Sequence, residues 1–372
     1  MLCKFAVRNF KSFNDWFSFN LSDVSGYDFN PQCIRDGVVN KALIYGHNGV
    51  GKSNLGLAIF DIVLHITDKF RSMQYYANYL NAQSPNAMAE FSYTFKLGND
   101  FVNYEYGKVA PDSLVYERLS INDKKIIEYD RSVDPAARID IAGTETLNKD
   151  LSQIKISIIK YIRSNAVIQD APTETVLSAF FSFVDHMLLF WSLDTRTYLG
   201  YEVNATANIL VDIVEKGHLE QFKGFLQSAG LDSNIKLVEE NGEKKLVFDF
   251  GNRAVDFYSS CSTGMRSLTL FYYWLQRVKY ANEKPSFIFI DEFDAFYHLS
   301  LSKTIIQELI GVESQVILTT HNTSLISNDL MRPDCYFLMY KDRIDPLSRL
   351  TDKELRFAHN IEKMYRAGAF GE

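Results

Sequence analysis

The sequence predicts an α/β protein: a parallel or mixed sheet carrying a glycine-rich loop, an antiparallel β meander beside it, and a compact helical insertion. Three observations predict it. The all-apolar segment ALIY runs into GHNGVGKS and then into a stretch with helical apolar spacing. Alternating apolar and polar segments, separated by turn residues, follow one another from AEFSYTFKL to KIIEYD. The C-terminal third alternates helical and buried-strand patterns, the signature of a parallel sheet.

Taken in order, CKFAVRNF and FNDWFSFNL read as two edge strands around a turn at Lys11–Ser12. ALIY reads as a strand covered on both faces, and SNLGLAIFDIVLHITDKF as a helix. AEFSYTFKL, FVNYEYGKV, LVYERLSI and KIIEYD form the meander. From about Leu147 to Leu231 the spacing turns helical, with two or three long segments. NIKLVEENGEKKLVFDF is a hairpin on its Asn241–Gly242 turn. Then come a helix (SLTLFYYWLQRVKYA), a buried strand (SFIFIDE), a helix (LSKTIIQELI) and a strand (QVILTTH). The expected division is 1–146 for an N-terminal lobe, 147–231 for the helical insertion and 232–372 for a C-terminal lobe.

The bulk numbers set limits. With 372 residues and 47% apolar content, the chain can bury a large core in one large domain or two ordinary ones. A net charge of −7 excludes a globally basic nucleic-acid coat, though not a local groove. The cysteines (Cys3, Cys33, Cys261, Cys335) form no CxxC pair, so neither a zinc site nor a disulfide framework is indicated. MLCKFAVRNF lacks the apolar core of a signal peptide. VLSAFFSFVDHMLLFW is too short to span a bilayer and carries Asp185 and His186, so it reads as a buried or partner-facing helix. A cytoplasmic protein with no membrane contact is the expectation.

The chemistry concentrates at three points. Gly46 to Ser53 fits G-x-x-x-x-G-K-[ST] at every fixed position. Glycines let backbone N–H groups turn toward phosphate oxygens, and the following helix adds the positive end of its dipole. Lys52 is placed to reach the β- and γ-phosphates, and Ser53 to hold Mg²⁺. The binding candidates here are Gly46, Asn48, Gly49, Gly51, Lys52, Ser53 and Asn54. FIFIDE then supplies an acidic pair at the end of a buried strand: Asp291 to hold Mg²⁺, Glu292 to polarise an attacking water. His321, closing VILTTH, ends the next parallel strand, where it can meet the γ-phosphate or that water.

This order of elements resembles the ABC-type ATPase heads of the SMC and RecF-like class. More closely, it resembles the short stand-alone AAA-type ATPases (RloA-like, AriA-like, related to the ATPase half of OLD proteins) of prokaryotic antiphage loci. The resemblance covers most of the chain and rests on VRNFKSF, YGHNGVGKSNL, SSCSTGMRSL, FIFIDEFDAFYH, LTTHNTSLIS and RPDCYFLMYKDR…NIEKMYRAGAFG. It implies that SSCSTGMRSL is a signature segment, in which Ser262 and Gly264 bind the γ-phosphate of ATP held by another subunit. Met265 stands where Gln, Glu or Thr is usual. Asp294 matches a loop that crosses the dimer interface, His298 a histidine common after it, and Gln83 is the candidate for the family's glutamine loop.

The resemblance implies a homodimer or higher even-numbered oligomer closing head-to-head around ATP and Mg²⁺, with Lys52, Glu292 and His321 catalytic. It implies an ATP-hydrolysing switch, the sensor of a phage-defence system controlling a separate nuclease or toxin encoded nearby. The alternative is a RecF-like DNA-repair or DNA-clamping ATPase, for which Lys124 and Lys125 offer a small basic turn.

Overall fold

A computed structural model describes residues 1–69, 73–148, 150, 156–191, 198–201, 209–215, 217–231, 234–240 and 243–371. The chain opens with β1 (Leu2–Arg8), β2 (Phe17–Asn20), the short strands β3 (Ile34–Arg35) and β4 (Val38–Val39), and β5 (Lys41–Tyr45). Helices α1 (Lys52–Ile59) and α2 (Asp61–Ile66) follow. The meander comprises β6 (Ala89–Leu97), β7 (Asp100–Ala110), β8 (Ser113–Ile121), β9 (Lys124–Asp130) and β10 (Asp134–Ile139). The middle holds α3 (Ile158–Asn165), α4 (Ala171–Asp185), β11 (Met187–Trp191), β12 (Tyr198–Gly200), α5 (Ile209–Glu215) and α6 (Leu219–Ser228). Next come β13 (Ile235–Glu240), β14 (Glu243–Asp249), β15 (Ala254–Asp256), α7 (Phe257–Ser260) and α8 (Thr263–Tyr280). The last part is β16 (Phe287–Asp291), α9 (Leu299–Ile310), β17 (Gln315–Thr320), β18 (Tyr336–Met339), β19 (Ile344–Pro346) and α10 (Ile361–Arg366).

Two seven-stranded sheets organise these elements. One is antiparallel, in the order β10-β9-β8-β7-β6-β1-β2. The other runs β12-β11-β16-β17-β5-β18-β19, its five inner strands parallel and its two edge strands antiparallel. The parallel strands FIFID and QVILTT are buried at every position, as strands covered on both faces must be. Strand β6 instead alternates, sending Phe91, Tyr93 and Phe95 inward.

Helix α1 packs between the sheets. On one side a Cβ at Gly56 would stand 2.8 Å from the Phe289 ring of β16, so only glycine allows this approach. On the other side Tyr93 Oη of β6 donates to Ala58 O at 3.0 Å. Phe95 meets Phe180 of α4 edge-on at 5.4 Å.

Three expectations need correction. Strand β1 is not an edge: it pairs with both β2 and β6, and β2 alone takes the rim. VLSAFFSFVDHMLLFW is not one helix. Helix α4 stops at Asp185, and MLLFW becomes β11, parallel to β16 with Leu188 opposite Ile288. Segment 147–231 is therefore not wholly helical, since it also gives β11 and β12 to the central sheet. The expected hairpin is formed by β13 and β14, with Glu240 opposite Glu243; its Asn241–Gly242 turn lies outside the described residues. Among the described residues, no helix is long and apolar enough to cross a membrane.

Candidate functional site

Strand order builds the site. Strand β17 lies between β5 and β16, all parallel, with Thr320 opposite Tyr45 and Leu318 opposite Ile290. Their carboxyl ends therefore share one edge, the usual place for ligands in open α/β sheets. The glycine loop leaves β5 there, Asp291 and Glu292 leave β16, and His321 leaves β17.

The loop's conformation needs its glycines. Gly49 and Gly51 have φ of 79° and 107°. A Cβ at Gly46 would stand 2.7 Å from Met339 O of β18, and one at Gly51 would stand 2.7 Å from Ser12 Oγ. Ser12 also accepts from Asn54 Nδ2 at 2.9 Å, so the Lys11–Ser12 turn braces the start of α1. That turn is held in place by Asn9, whose side-chain amide donates to Asn86 O and Met88 O. Asn48 lies in the exposed part of the loop.

Lys52, only 4% exposed, donates to Gly46 O at 2.8 Å and to His47 O at 3.3 Å. Its Nζ also lies 2.9 Å from His321 Nε2 and 3.2 Å from Nδ1. Burial lowers the Lys52 pKa, opposed by the charges of Glu292, Asp291 and Asp294. His321 Nε2 is 3.0 Å from Glu292 Oε1. With the proton on Nε2 the ring donates to Glu292.

Asp291 accepts from Ser53 Oγ at 2.5 Å and from Thr319 Oγ1 at 2.7 Å. Burial raises its pKa, and these two hydrogen bonds oppose the shift. The same Thr319 hydroxyl accepts from Glu292 N at 2.7 Å, so one side chain of β17 orders both acidic residues. Glu292 has φ 46°, a left-handed conformation that a non-glycine residue holds only where its surroundings enforce it. Asp294 accepts from Thr320 Oγ1 at 2.9 Å, and burial raises its pKa.

Thus Lys52, Ser53, Asp291, Glu292, Asp294 and His321 converge. Ser262 and Gly264 do not join them. Ser262 is exposed and caps α8, its Oγ accepting from Met265 N at 3.3 Å. No hydrogen bond among the described residues ties either one to the glycine loop. A Cβ at Gly264 would stand 3.5 Å from Phe296 O, so this turn abuts the loop that carries Asp294. His298 occupies the cap position of α9, and Gln83 is exposed in a loop with its N–H on Asn81 Oδ1. Lys124 and Lys125 pair with Asp140 and Glu128, so the basic turn carries its own counter-charges.

The sequence marks Ser12 only as part of a turn and gives no role to Thr319 or Thr320. Their only signal was polarity at a turn between aromatics and at the end of an apolar strand. Helix α10, in the NIEKMYR segment, packs near this edge: Tyr365 meets Tyr45 edge-on at 5.2 Å, and Glu362 accepts from Ser324 just beyond His321.

The donor set fits Mg²⁺. One hydroxyl and one carboxylate in mutual contact leave most positions for water and phosphate, the way this ion is usually held beside a nucleotide. Among the described residues no group of three or more His, Cys, Asp and Glu side chains forms an all-protein metal cage. Ser53 and Asp291 would hold the ion, which supplies charge neutralisation to the phosphates.

No curated protein matches the chain. The chain is similar to the SMC head domain from Thermotoga maritima, with 15% identity over 93% of this chain and 98% of that one and a TM-score of 0.44. It is also similar to an SmcHead bound to the C-winged helix domain of ScpA (18%, covering 92% and 96%, TM-score 0.45). A third likeness is to an Smc head domain with an extended coiled coil bound to the C-terminal domain of ScpA, from Pyrococcus furiosus (16%, covering 92% and 95%, TM-score 0.43). A family model described as "AAA domain, putative AbiEii toxin, Type IV TA system" matches residues 41–327. That match spans the glycine loop, the acidic pair and His321, and so most of the chain: the protein belongs to this AAA domain family.

Proposed function

We propose that the chain is an ATP-hydrolysing switch whose heads dimerise around ATP. The observation that carries this reading is the convergence of Lys52 and Glu292 on His321, each within hydrogen-bond reach of its ring, at the carboxyl edge of the parallel sheet. Lys52 would leave the carbonyls of Gly46 and His47 for the phosphates of ATP. Glu292 would take the proton of the attacking water, with His321 holding its carboxylate in place. Asp291 and Ser53 would hold Mg²⁺.

Ser262 and Gly264 support dimerisation. They stand at the start of an 18-residue helix and, among the described residues, form no hydrogen bond to their own chain's glycine loop, a placement that suits completing the site of a facing copy. Nucleotide-driven closing and opening would then bias a two-state interface. The family description, a putative AbiEii toxin of a type IV toxin–antitoxin system, supports a defence role; in the reading proposed here the switch restrains or releases a separate nuclease or toxin encoded nearby. A DNA clamp is less well supported, because the chain is acidic and Lys124 and Lys125 are already paired.

Light scattering tests the core of this reading. Glu292→Gln in ATP and Mg²⁺ should run at twice the monomer mass, while Lys52→Ala in the same buffer should stay monomeric. An E292Q chain that stays monomeric at saturating ATP would refute dimerisation. Mass doubling that requires added DNA would favour the clamp.

A further inference from the structure

A cavity of about 630 Å³ lies beside α8, away from the glycine loop. Its volume is in the range of small-molecule sites, roughly 300–1,000 Å³. Leu210 of α5, Leu246 of β14 and Leu270 of α8 give it an apolar wall. Lys244 and Arg266 give it a cationic one, in a chain whose net charge is −7; Lys245 also lines it but pairs with Glu240 at 3.5 Å. Asp256 also lines the cavity and stays an anion, capping α7 by accepting from Ser259 N at 2.8 Å; against it stand the charges of Arg266 and Lys244.

Arg266 is the informative residue. Its guanidinium lies over the Tyr258 ring at 5.3 Å. Its Nε is buried and has no hydrogen-bond partner among the described residues. A desolvated, unsatisfied donor on a cation is costly, and an anionic acceptor in the cavity would remove that cost. Arg266 is also about one helical turn beyond Ser262. A ligand that draws Arg266 inward therefore acts on the turn that presents Ser262 and Gly264.

We propose that this cavity binds a small organic anion with an apolar body, an aryl or acyl carboxylate, sulfonate or phosphate. Its charge is held by Arg266 and Lys244 and its hydrocarbon by the three leucines. Occupancy adjusts the Ser262–Gly264 turn and thereby ATP turnover, a consequence that rests on the function proposed above.

The probe is anilinonaphthalene sulfonate, titrated by fluorescence into the full chain, with the uncharged phenylnaphthylamine as its counterpart. The sulfonate should saturate one site and bind ~10-fold tighter than the neutral dye, the discrimination of a charge-assisted hydrogen bond. Arg266→Gln should remove that preference and leave the neutral dye's affinity unchanged. Leu210→Trp, which fills the apolar side, should weaken both dyes. Excess ATP and Lys52→Ala should change neither. Equal binding of the two dyes, sulfonate binding insensitive to both variants, or displacement by ATP would each overturn the site. Saturating sulfonate should shift wild-type turnover by about twofold or more, and by less in R266Q. Turnover that ignores bound dye overturns the regulatory part. A chain that binds dye as stated but never hydrolyses ATP refutes the proposed function and leaves the cavity site standing.

Discussion

His321 Nε2 lies 3.0 Å from Glu292 Oε1 and 2.9 Å from Lys52 Nζ, so one imidazole joins the end of β17 to the acidic loop and to the first residue of α1. His321→Ala should leave ATP affinity nearly unchanged and lower turnover by on the order of 10²-fold, the usual worth of a group that assists a general base. Binding and single-turnover measurements separate the two effects. Weakened binding with unchanged turnover would reassign His321 to phosphate recognition.

The Ser53–Asp291 contact makes a second prediction. Ser53→Ala removes a donor that helps keep Asp291 ionised, so the burial that raises its pKa then acts unopposed on that oxygen. Mg²⁺-dependent nucleotide affinity should fall by about tenfold, and the loss should deepen as pH falls toward the raised pKa. Titrating nucleotide with and without Mg²⁺ at several pH values checks this. Equal losses in both conditions would place Ser53 on the phosphates instead.

Glycine loop geometry sets a third. A methyl at Gly46 meets the backbone of Met339, which cannot swing aside. Gly46→Ala should cost about 1–3 kcal/mol by denaturant unfolding as well as nucleotide binding. Gly51→Ala meets Ser12 Oγ and a φ of 107°. Ser12→Gly should therefore rescue it only in part, because it relieves the clash and not the backbone strain. Full rescue would show that the strain is unimportant.

Lys41 gives a pH signature of stability. Its ammonium is buried, donates to Val312 O and Ser314 O, and is pulled down from 10.5 to about 7, chiefly by burial and then by Arg35. Between those values the unfolded chain binds the proton and the folded chain does not. Stability should therefore rise with pH from about 7 upward. Lys41→Met should flatten that rise in urea unfolding between neutral and mildly alkaline pH. A rise of equal slope in the variant would assign it to another group.

Glu117 gives a prediction about stability alone. Its buried carboxylate accepts from Ile158 N, Ile159 N, Tyr104 Oη and Ser157 Oγ, holding the start of α3 against the meander. Glu117→Ala should cost about 3 kcal/mol, since it strands several buried donors, and should spare turnover in the folded fraction. A lost activity at unchanged melting temperature would contradict this.

What could be read before the structure was the chemistry that neighbours in sequence supply. Gly46 to Ser53 and Asp291–Glu292 each carry their own strand, turn and residue types, and parallel strands bring their ends together. What could not be read depends on pairing. MLLFW is equally apolar as the end of α4 or as β11, and only its ladder with FIFID decides. Thr319 orders both acidic residues because β17 neighbours β16, and Ser12 braces α1 because the first turn folds back over it, contacts that no local spacing encodes.

Strand β11 has one more consequence. The middle of the chain supplies the strand that covers the outer rim of β16, the strand leading to Asp291 and Glu292. That middle section is therefore not a cassette hung from a finished enzyme but a keystone within it. Excising it would bare the fully buried edge of β16 and invite sticking between copies before any chemistry could be assayed. Any redesign of this section has to be made in the loops and helices around β11, with the strand itself retained.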